Sequence, residues 1–169
     1  MTKRNFNHRA AMIAGVTGGV ISGLVKLGWE NILPPRTPER DATNPPQQLL
    51  QQIGVPASVT HATYTYSNQQ LPVVSYMMHF GFSTTFAVAY SLWARKHPKA
   101  QAGSSALYGL GVWGAFHVGI LPALKTIPSA KDQPTAEHVS EALGHVLWMW
   151  TADWVSAAVY DRLTAKDQH

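Results

Sequence analysis

The chain has 169 residues, a length that suits one domain, with a formal net charge of +4 at pH 7 and a mean hydropathy of -0.08, which is typical of a soluble protein. The absence of cysteine excludes disulfide bonds, thiolate metal sites and cysteine nucleophiles. Because the basic residues are scattered and form no stripe interleaved with aromatic residues, nucleic acid is not expected as a partner.

Charge is segregated along the sequence, since four stretches of about 20 residues carry almost no charge. The predicted spans are, in chain order, Ala10–Trp29, Val73–Ala94, Gly103–Leu124 and Glu137–Tyr160. Each can cross roughly 30 Å of hydrocarbon at about 1.5 Å per residue. The fourth contains Glu141, His145 and Asp153, so we expect it to face protein more than lipid. The sequence therefore predicts an all-α, four-helix transmembrane bundle, with residues 1–169 as a single membrane domain embedded in a lipid bilayer.

Lys and Arg are distributed unequally between the two sides of this arrangement. The side of the chain termini holds Lys3, Arg4, Arg9, Arg95, Lys96, Lys99, Arg162 and Lys166, and the opposite side holds Arg36, Arg40, Lys125 and Lys131. Basic residues are enriched on the cytoplasmic side of membrane proteins. Both termini are therefore expected in the cytoplasm.

The first span is too long and too rich in glycine for a secretory signal segment, and it is interpreted as a retained transmembrane helix. Small residues recur every four positions on the first and third spans, which predicts smooth stripes where another helix packs closely. The stripes are Gly15, Gly19 and Gly23 in the first span and Gly111, Ala115 and Gly119 in the third. Packing within one subunit is preferred to a homo-oligomer interface, and both fit the pattern.

A long connection, residues 31–71, follows the first span and is expected on the external side of the membrane. It begins with a proline-rich turn and continues with a polar stretch rich in Gln and Thr. Residues 47–53 are expected to form a short interfacial helix, and residues 58–66, with alternating Thr and Tyr, a hairpin arm or an extended cover. The loop could also bind a partner, whose nature the sequence does not indicate.

Ionisable residues on all four predicted spans fall in the external half of the membrane. Counted from the external span ends, Lys26 lies three residues deep, His79 six and His117 seven, and Glu141 and His145 lie four and eight residues deep. An isolated charge at this depth is costly, so these side chains are expected to meet. The full predicted network is Lys26, Glu30, Arg36, His79, His117, Glu141 and His145.

Three interpretations of this network are open. It could be a structural polar network that holds the helices in register. It could handle protons or a divalent ion, because three imidazoles with the Glu141 carboxylate suit zinc, copper(II) or nickel; the metal set would be His79, His117, Glu141 and His145. A charged Lys26 would oppose a bound cation, so a proton response is preferred to a metal. Haem b, held by two of the histidines, is the least favoured, because no second histidine pair lies at another depth.

An enzymatic function is not expected, because the sequence contains no phosphate-binding glycine loop and no motif of a nucleophilic triad. Asp153 lies off the helical face of Glu141 by roughly 120° at about 100° per residue, and it is interpreted as a residue that pairs helices. The opposing hypothesis to a proton or ion site is a scaffold protein whose working surface is the external loop.

Several segments resemble the YagU-like family of bacterial inner-membrane proteins. They are Val25–Glu30, Leu33–Pro38 and Val139–Trp150, together with the second span, which contains His79 and ends in Phe86–Tyr90, and the segment Phe116–Pro122. Residues 41–71 do not share the resemblance. It implies a multi-pass protein of the bacterial inner membrane that is loosely associated with tolerance of acid, and it names no reaction. The resembling segments include Lys26, Glu30, Pro34, Pro35, Arg36, His79, His117, Glu141, Gly144 and His145.

Overall fold

Most of the chain is helical in the computed structural model, which describes residues 6–33, 38, 42–100 and 103–166. In chain order its elements are α1 (His8–Ile32), α2 (Pro45–Gln52), α3 (Ala57–Thr60), β1 (Thr63–Tyr66), β2 (Gln69–Pro72), α4 (Val73–Lys96), α5 (Ser104–Ala123) and α6 (Thr135–Lys166). Short 3-10 turns, Pro98–Ala100 and Ala130–Asp132, precede α5 and α6. The four predicted spans coincide with the four long helices.

Two of the described helices, α1 and α5, are long and apolar enough to cross a membrane. The outer surface of α1 exposes a band of large apolar side chains, each more than 40% exposed: Met12, Ile13, Val16, Val20 and Leu24. An exposed apolar surface of this kind suits contact with lipid. That α4 and α6 also cross the membrane, and that both termini are cytoplasmic, stay predictions.

The fold is not entirely helical, which corrects the all-α prediction. Strands β1 and β2 pair antiparallel in a two-stranded sheet. Ser67 and Asn68, between the strands, have positive φ values of 49° and 64°, as the tightest hairpin turn requires. Alternating Thr and Tyr residues in β1 favour extended backbone. The short helix expected over residues 47–53 is α2, whose first turn is closed by reciprocal hydrogen bonds between Asn44 and Gln47.

Helix α1 is central, because it packs along both α4 and α6. Glycines make these contacts close: a Cβ added to Gly19 would lie 2.5 Å from the Cα of Thr84 on α4, and one added to Gly18 would lie 2.6 Å from the Ala152 carbonyl oxygen on α6. The residues of the first predicted stripe, Gly15, Gly19 and Gly23, all face α4. A larger side chain at Gly15, Gly18 or Gly19 would meet backbone atoms of the neighbouring helix and separate the helices.

Helix α5 packs mainly on α6, and its close contact is made by Gly109. A Cβ added to Gly109 would lie 2.3 Å from the His145 carbonyl oxygen, whereas one added to Gly111 would meet no atom within 4 Å. The second predicted stripe, Gly111, Ala115 and Gly119, is exposed. The spacing of small residues indicates that α5 has a smooth stripe, but it does not determine whether the stripe faces another helix or the outside of the subunit. Here the stripe lies on the outer surface of the subunit.

Candidate functional site

Lys26 is the centre of a buried polar cluster near the end of α1. Its ammonium group donates to Glu30 Oε1 at 2.6 Å and to Glu141 Oε2 at 3.1 Å, and the residue is only 8% exposed. Glu30 lies one turn further along α1, whereas Glu141 belongs to α6, so Lys26 makes one contact within its helix and one between helices. A lysine this deeply buried requires such anionic partners to remain charged.

The carboxylate oxygen of Glu141 that accepts from Lys26 also faces two imidazole rings. His117 Nε2 lies 3.8 Å and His145 Nδ1 lies 3.9 Å from Glu141 Oε2. The two rings are nearly perpendicular, with an interplanar angle of 79° and centroids 5.1 Å apart. We call Lys26, Glu30, His117, Glu141 and His145 the Lys26 cluster. Both imidazole distances exceed hydrogen-bond length, and a small movement of the His117 ring would bring its Nε2 within reach of the carboxylate.

His145 is held in position by its own helix. Its Nδ1 lies 2.8 Å from the carbonyl oxygen of Glu141, one turn earlier in α6. A carbonyl can only accept a hydrogen bond, so Nδ1 is the donor, and Nε2 is the unprotonated nitrogen of the neutral ring. The residue is 2% exposed, and the ring of Trp148 packs against it with centroids 5.7 Å apart. His145 therefore presents the lone pair of Nε2 within a buried site.

His117 lies in the middle of a π-helical stretch, Gly114–Ile120, within α5. The N–H of Leu121 bonds to the Phe116 carbonyl five residues earlier, as in a π turn. Pro122 has no N–H to form the α-helical bond that would otherwise reach Val118. The sequence therefore favours a wider turn at this point. Such stretches are rare and are often found at functional sites.

The predicted network has two further members, and one of them, His79, does not join this cluster. His79 Nε2 instead lies 2.8 Å from the Gly23 carbonyl oxygen on α1. Arg36 lies outside the described residues. Within the described part of the chain, the group that could hold a metal ion is His117, Glu141 and His145, whose ligand atoms lie within 4.8 Å of one another. The structure thus brings the other five predicted network residues together.

The predicted network did not include the residues that close one side of the cluster. Trp29 Nε1 donates to the Ser140 carbonyl oxygen at 3.1 Å. A Cβ added to Gly144 would lie 3.1 Å from the Trp29 ring and 3.7 Å from Lys26 Nζ. Trp29 follows Lys26 by three residues and Gly144 follows Glu141 by three, so each shares a helical face with a network residue. That shared spacing is the signal that could have identified them.

A second buried ion pair joins α4 to α6. Arg95 Nη2 pairs with Asp153 Oδ1, and the two side chains are 9% and 15% exposed. The Tyr90 hydroxyl donates to Asp153 Oδ2 at 3.4 Å and lies 2.8 Å from Ser104 Oγ at the start of α5. This contact confirms the interpretation of Asp153 as a residue that pairs helices. Trp148 separates Asp153 from the Lys26 cluster along α6.

Replacing Asp153 with Asn is expected to lower the free energy of unfolding by about 3 kcal/mol, because Arg95 would stay charged and buried without its carboxylate. Thermal unfolding of the detergent-purified protein would measure the change. The double variant Arg95→Met, Asp153→Leu removes both charges and is expected to be closer in stability to the unsubstituted protein. Equal stability of Asp153→Asn and the unsubstituted protein would show that the pair contributes little.

Comparison with known proteins gives two matches. A family model described as "Protein of unknown function (DUF1440)" matches residues 20–154. The inner membrane protein YagU of Escherichia coli (strain K12) is 28% identical over 176 residues, which cover 91% of this chain and 86% of that protein. No solved structure matches the chain. The residues matched by the family model include all members of the Lys26 cluster.

Proposed function

Because the chain belongs to the DUF1440 family and is a protein of the bacterial inner membrane, we propose that its Lys26 cluster is a proton-responsive site on the external side. The observation that carries the proposal is the single Glu141 oxygen that faces one ammonium group and two imidazoles. Histidine changes its charge between about pH 5 and 8. The distribution of basic residues, which favours cytoplasmic termini, supports the external position. Tolerance of acid, which the family resemblance implies, is a physiological setting that fits such a site.

Protonation would change the balance of charges around Glu141. While His117 and His145 are neutral, Glu141 is bound by Lys26, which links α6 to α1. Once protonated, His117 can donate from Nε2 to the same carboxylate oxygen and compete with Lys26 for it, and a positive charge on either ring repels the Lys26 ammonium group. Lys26 then retains its ion pair with Glu30 within α1, and the ion pair with Glu141 that joins α1 to α6 weakens. Low external pH is therefore expected to loosen α1, α5 and α6 at this end of the bundle.

The charged and titratable groups of this site come from three helices. Within the described residues they are Lys26 and Glu30 of α1, His117 of α5, and Glu141 and His145 of α6. Helix α4 contributes His79 nearby, whose ring bonds to the Gly23 carbonyl. A positive charge on either cluster histidine is thus attracted by the Glu30 and Glu141 carboxylates and repelled by the Lys26 ammonium group.

The expected movement can be measured between two spin labels, because the natural sequence has no cysteine. Ile32→Cys and Leu124→Cys place the labels just beyond the cluster, at the last residue of α1 and immediately after α5, where the residues are 77% and 51% exposed. In lipid nanodiscs, pulsed electron paramagnetic resonance is expected to give a longer or broader distance distribution at about pH 5 than at about pH 7.5. An unchanged distribution would contradict a proton response and favour a structural network.

Two matched variants assign the response to the cluster. Substituting His117→Gln and His145→Gln together removes the titrating rings, and the neutral-pH distribution is expected at both pH values. His61→Gln removes an exposed histidine of the loop and is expected to leave the response as in the unsubstituted protein. A response that survives the double substitution would place its origin outside the Lys26 cluster.

A divalent transition-metal ion is a second candidate for the same place, because His117, Glu141 and His145 bring three ligand atoms together. His145 would bind through Nε2, since Nδ1 donates to a backbone carbonyl, an arrangement common among metal-binding histidines. Lys26, 3.1 Å from Glu141 Oε2, opposes such an ion. Stoichiometric zinc or copper in purified protein, lost in a His117→Ala, His145→Ala variant, would favour the metal over the proton.

The positions of His117 and His145 fit poorly with their acting as the two axial ligands of haem b. Their ring centroids are 5.1 Å apart, which leaves no space for a porphyrin with its iron between the rings. An absorption spectrum of the purified protein is expected to show no Soret band. A Soret band that is lost on substitution of His145 would reverse this conclusion.

A scaffold protein, with the external loop as its working surface, is the alternative from a different class. The loop is tied to the connection after α5, since Gln52 Oε1 accepts from Thr126 Oγ1 at 2.9 Å, and it is braced internally, since Gln47 Nε2 donates to the Thr60 carbonyl at 3.1 Å. Scrambling residues 47–66 while keeping the Lys26 cluster separates the two hypotheses. A proton-responsive cluster is expected to retain its pH response, whereas a scaffold would lose its function.

A further inference from the structure

The connection between α1 and α4 has an unusual composition for a segment outside the hydrocarbon. From Ala42 to Ala94 the sequence contains no Lys, Arg, Asp or Glu. Residues 42–72, which precede α4, therefore contain no formally charged side chain and a single histidine, His61. Surfaces that face water usually contain about a quarter to a third charged residues. The headgroup layer of a bilayer, in contrast, favours uncharged residues with amphipathic aromatic rings.

Hydrogen bonds hold this segment at the level of the helix ends. Asn44 Nδ2 donates to Ser75 Oγ in the first turn of α4 at 2.8 Å. Gln52 Nε2 donates to the Leu124 carbonyl oxygen, immediately after α5, at 3.1 Å. Strand β2 ends at Pro72, and α4 begins at the next residue. The segment therefore lies across the ends of α4 and α5 and does not stand away from them.

The hairpin in this segment has one polar face and one aromatic face. Thr63 Oγ1 and Thr65 Oγ1 both donate to Gln70 Oε1, at 2.8 Å and 3.2 Å. Because side chains alternate along a strand, Tyr64 and Tyr66 lie on the opposite face, where they are 61% and 65% exposed. Nothing in the described residues packs over most of this aromatic surface.

We infer that residues 42–72 lie in the lipid headgroup layer and that the aromatic face of the hairpin contacts lipid. Ile53, 72% exposed, and Val59, 50% exposed, extend the apolar surface beside the hairpin. The tyrosine rings would sit among the first acyl carbons, with their hydroxyl groups among the headgroups. The lack of formal charge and the direct continuation into α4 favour lipid over a charged protein surface. The inference depends neither on the proton response nor on which side of the membrane the segment occupies.

Single spin labels on the two faces of β1 test this inference in the cysteine-free background. Tyr66→Cys carries a label on the aromatic face, and Thr65→Cys carries one on the polar face of the same strand. The protein is reconstituted in liposomes of phosphatidylethanolamine and phosphatidylglycerol, and collisions with oxygen and with a water-soluble nickel chelate are measured. We expect the ratio of oxygen to nickel collisions to be several-fold higher for the label at Tyr66.

Two results would overturn the inference. Ready access of the nickel chelate to both labels would show a solvated loop, and poor access of both reagents to the label at Tyr66 would show that protein covers it, either a second copy or another partner. Ile53→Cys, in the turn after α2, provides a second position outside the hairpin and is expected to resemble Tyr66→Cys. Thermal unfolding of each labelled variant verifies that it is folded.

Discussion

Replacing Lys26 with Met is expected to lower the free energy of unfolding by about 3–5 kcal/mol. The substitution keeps most of the side-chain volume and removes the ammonium group that lies 2.6 Å from Glu30 and 3.1 Å from Glu141. Two carboxylates would then face each other in a buried site without that cation. Thermal unfolding in detergent, followed by circular dichroism, measures the loss.

The control for this substitution is an exposed lysine. Lys131 lies in the turn before α6, and Lys131→Met is expected to change the free energy of unfolding by no more than about 0.5 kcal/mol. Adding Glu141→Gln to Lys26→Met removes one of the two carboxylates and is expected to recover part of the loss. If Lys26→Met is as stable as Lys131→Met, the lysine is not the link between α1 and α6 that the cluster requires.

Gly109→Ala is expected to destabilise the bundle by about 1–3 kcal/mol and also to weaken the pH response. The added Cβ would lie 2.3 Å from the His145 carbonyl oxygen, which is backbone and cannot rotate away. Helix α5 must therefore move from α6, and His117 would move from Glu141 with it. Unfolding temperature and the spin-label distances at both pH values report the two effects separately.

Gly111→Ala is the matched control in the same helix. An added Cβ at Gly111 meets no atom within 4 Å, and alanine has the higher helix propensity, so stability is expected to be unchanged or slightly raised. Equal effects of the two substitutions would mean that α5 does not contact α6 through Gly109. The distinction also tests which face of α5 points into the subunit.

Spacing along a single helix was sufficient to predict part of the site. Lys26 and Glu30 are four residues apart, as are Glu141 and His145, so each pair had to share a helical face whatever the rest of the fold. Depth counted from the predicted span ends also put His117 in the predicted network, and His117 Nε2 lies 3.8 Å from Glu141 Oε2. Depth alone could not decide the direction in which α4 turns His79, which bonds to Gly23 of α1 and not to the cluster.

Other features of the structure could not be predicted from a regular helical period of about 3.6 residues. The π-helical stretch around His117 changes the phase of α5, so faces counted at about 100° per residue no longer apply beyond Gly114. The small residues that begin at Gly111 recur every four positions as predicted, but they face outward. Gly109 makes the close contact between α5 and α6. The hairpin was visible as alternating Thr and Tyr, yet its second strand is rich in Gln and gave no comparable signal. Local patterns thus predict elements, and only packing fixes their rotation.

Nuclear magnetic resonance of the protein with ¹⁵N-labelled histidine in lipid nanodiscs tests the proton response most directly. Signals of His117 and His145 are assigned by His117→Gln and His145→Gln, and both rings are followed from about pH 8 to about pH 5. We expect the His117 ring to become charged over the range in which the spin-label distance changes, and the substitution of His145 to shift the titration of His117. Rings that stay neutral throughout this range would contradict a proton-responsive Lys26 cluster.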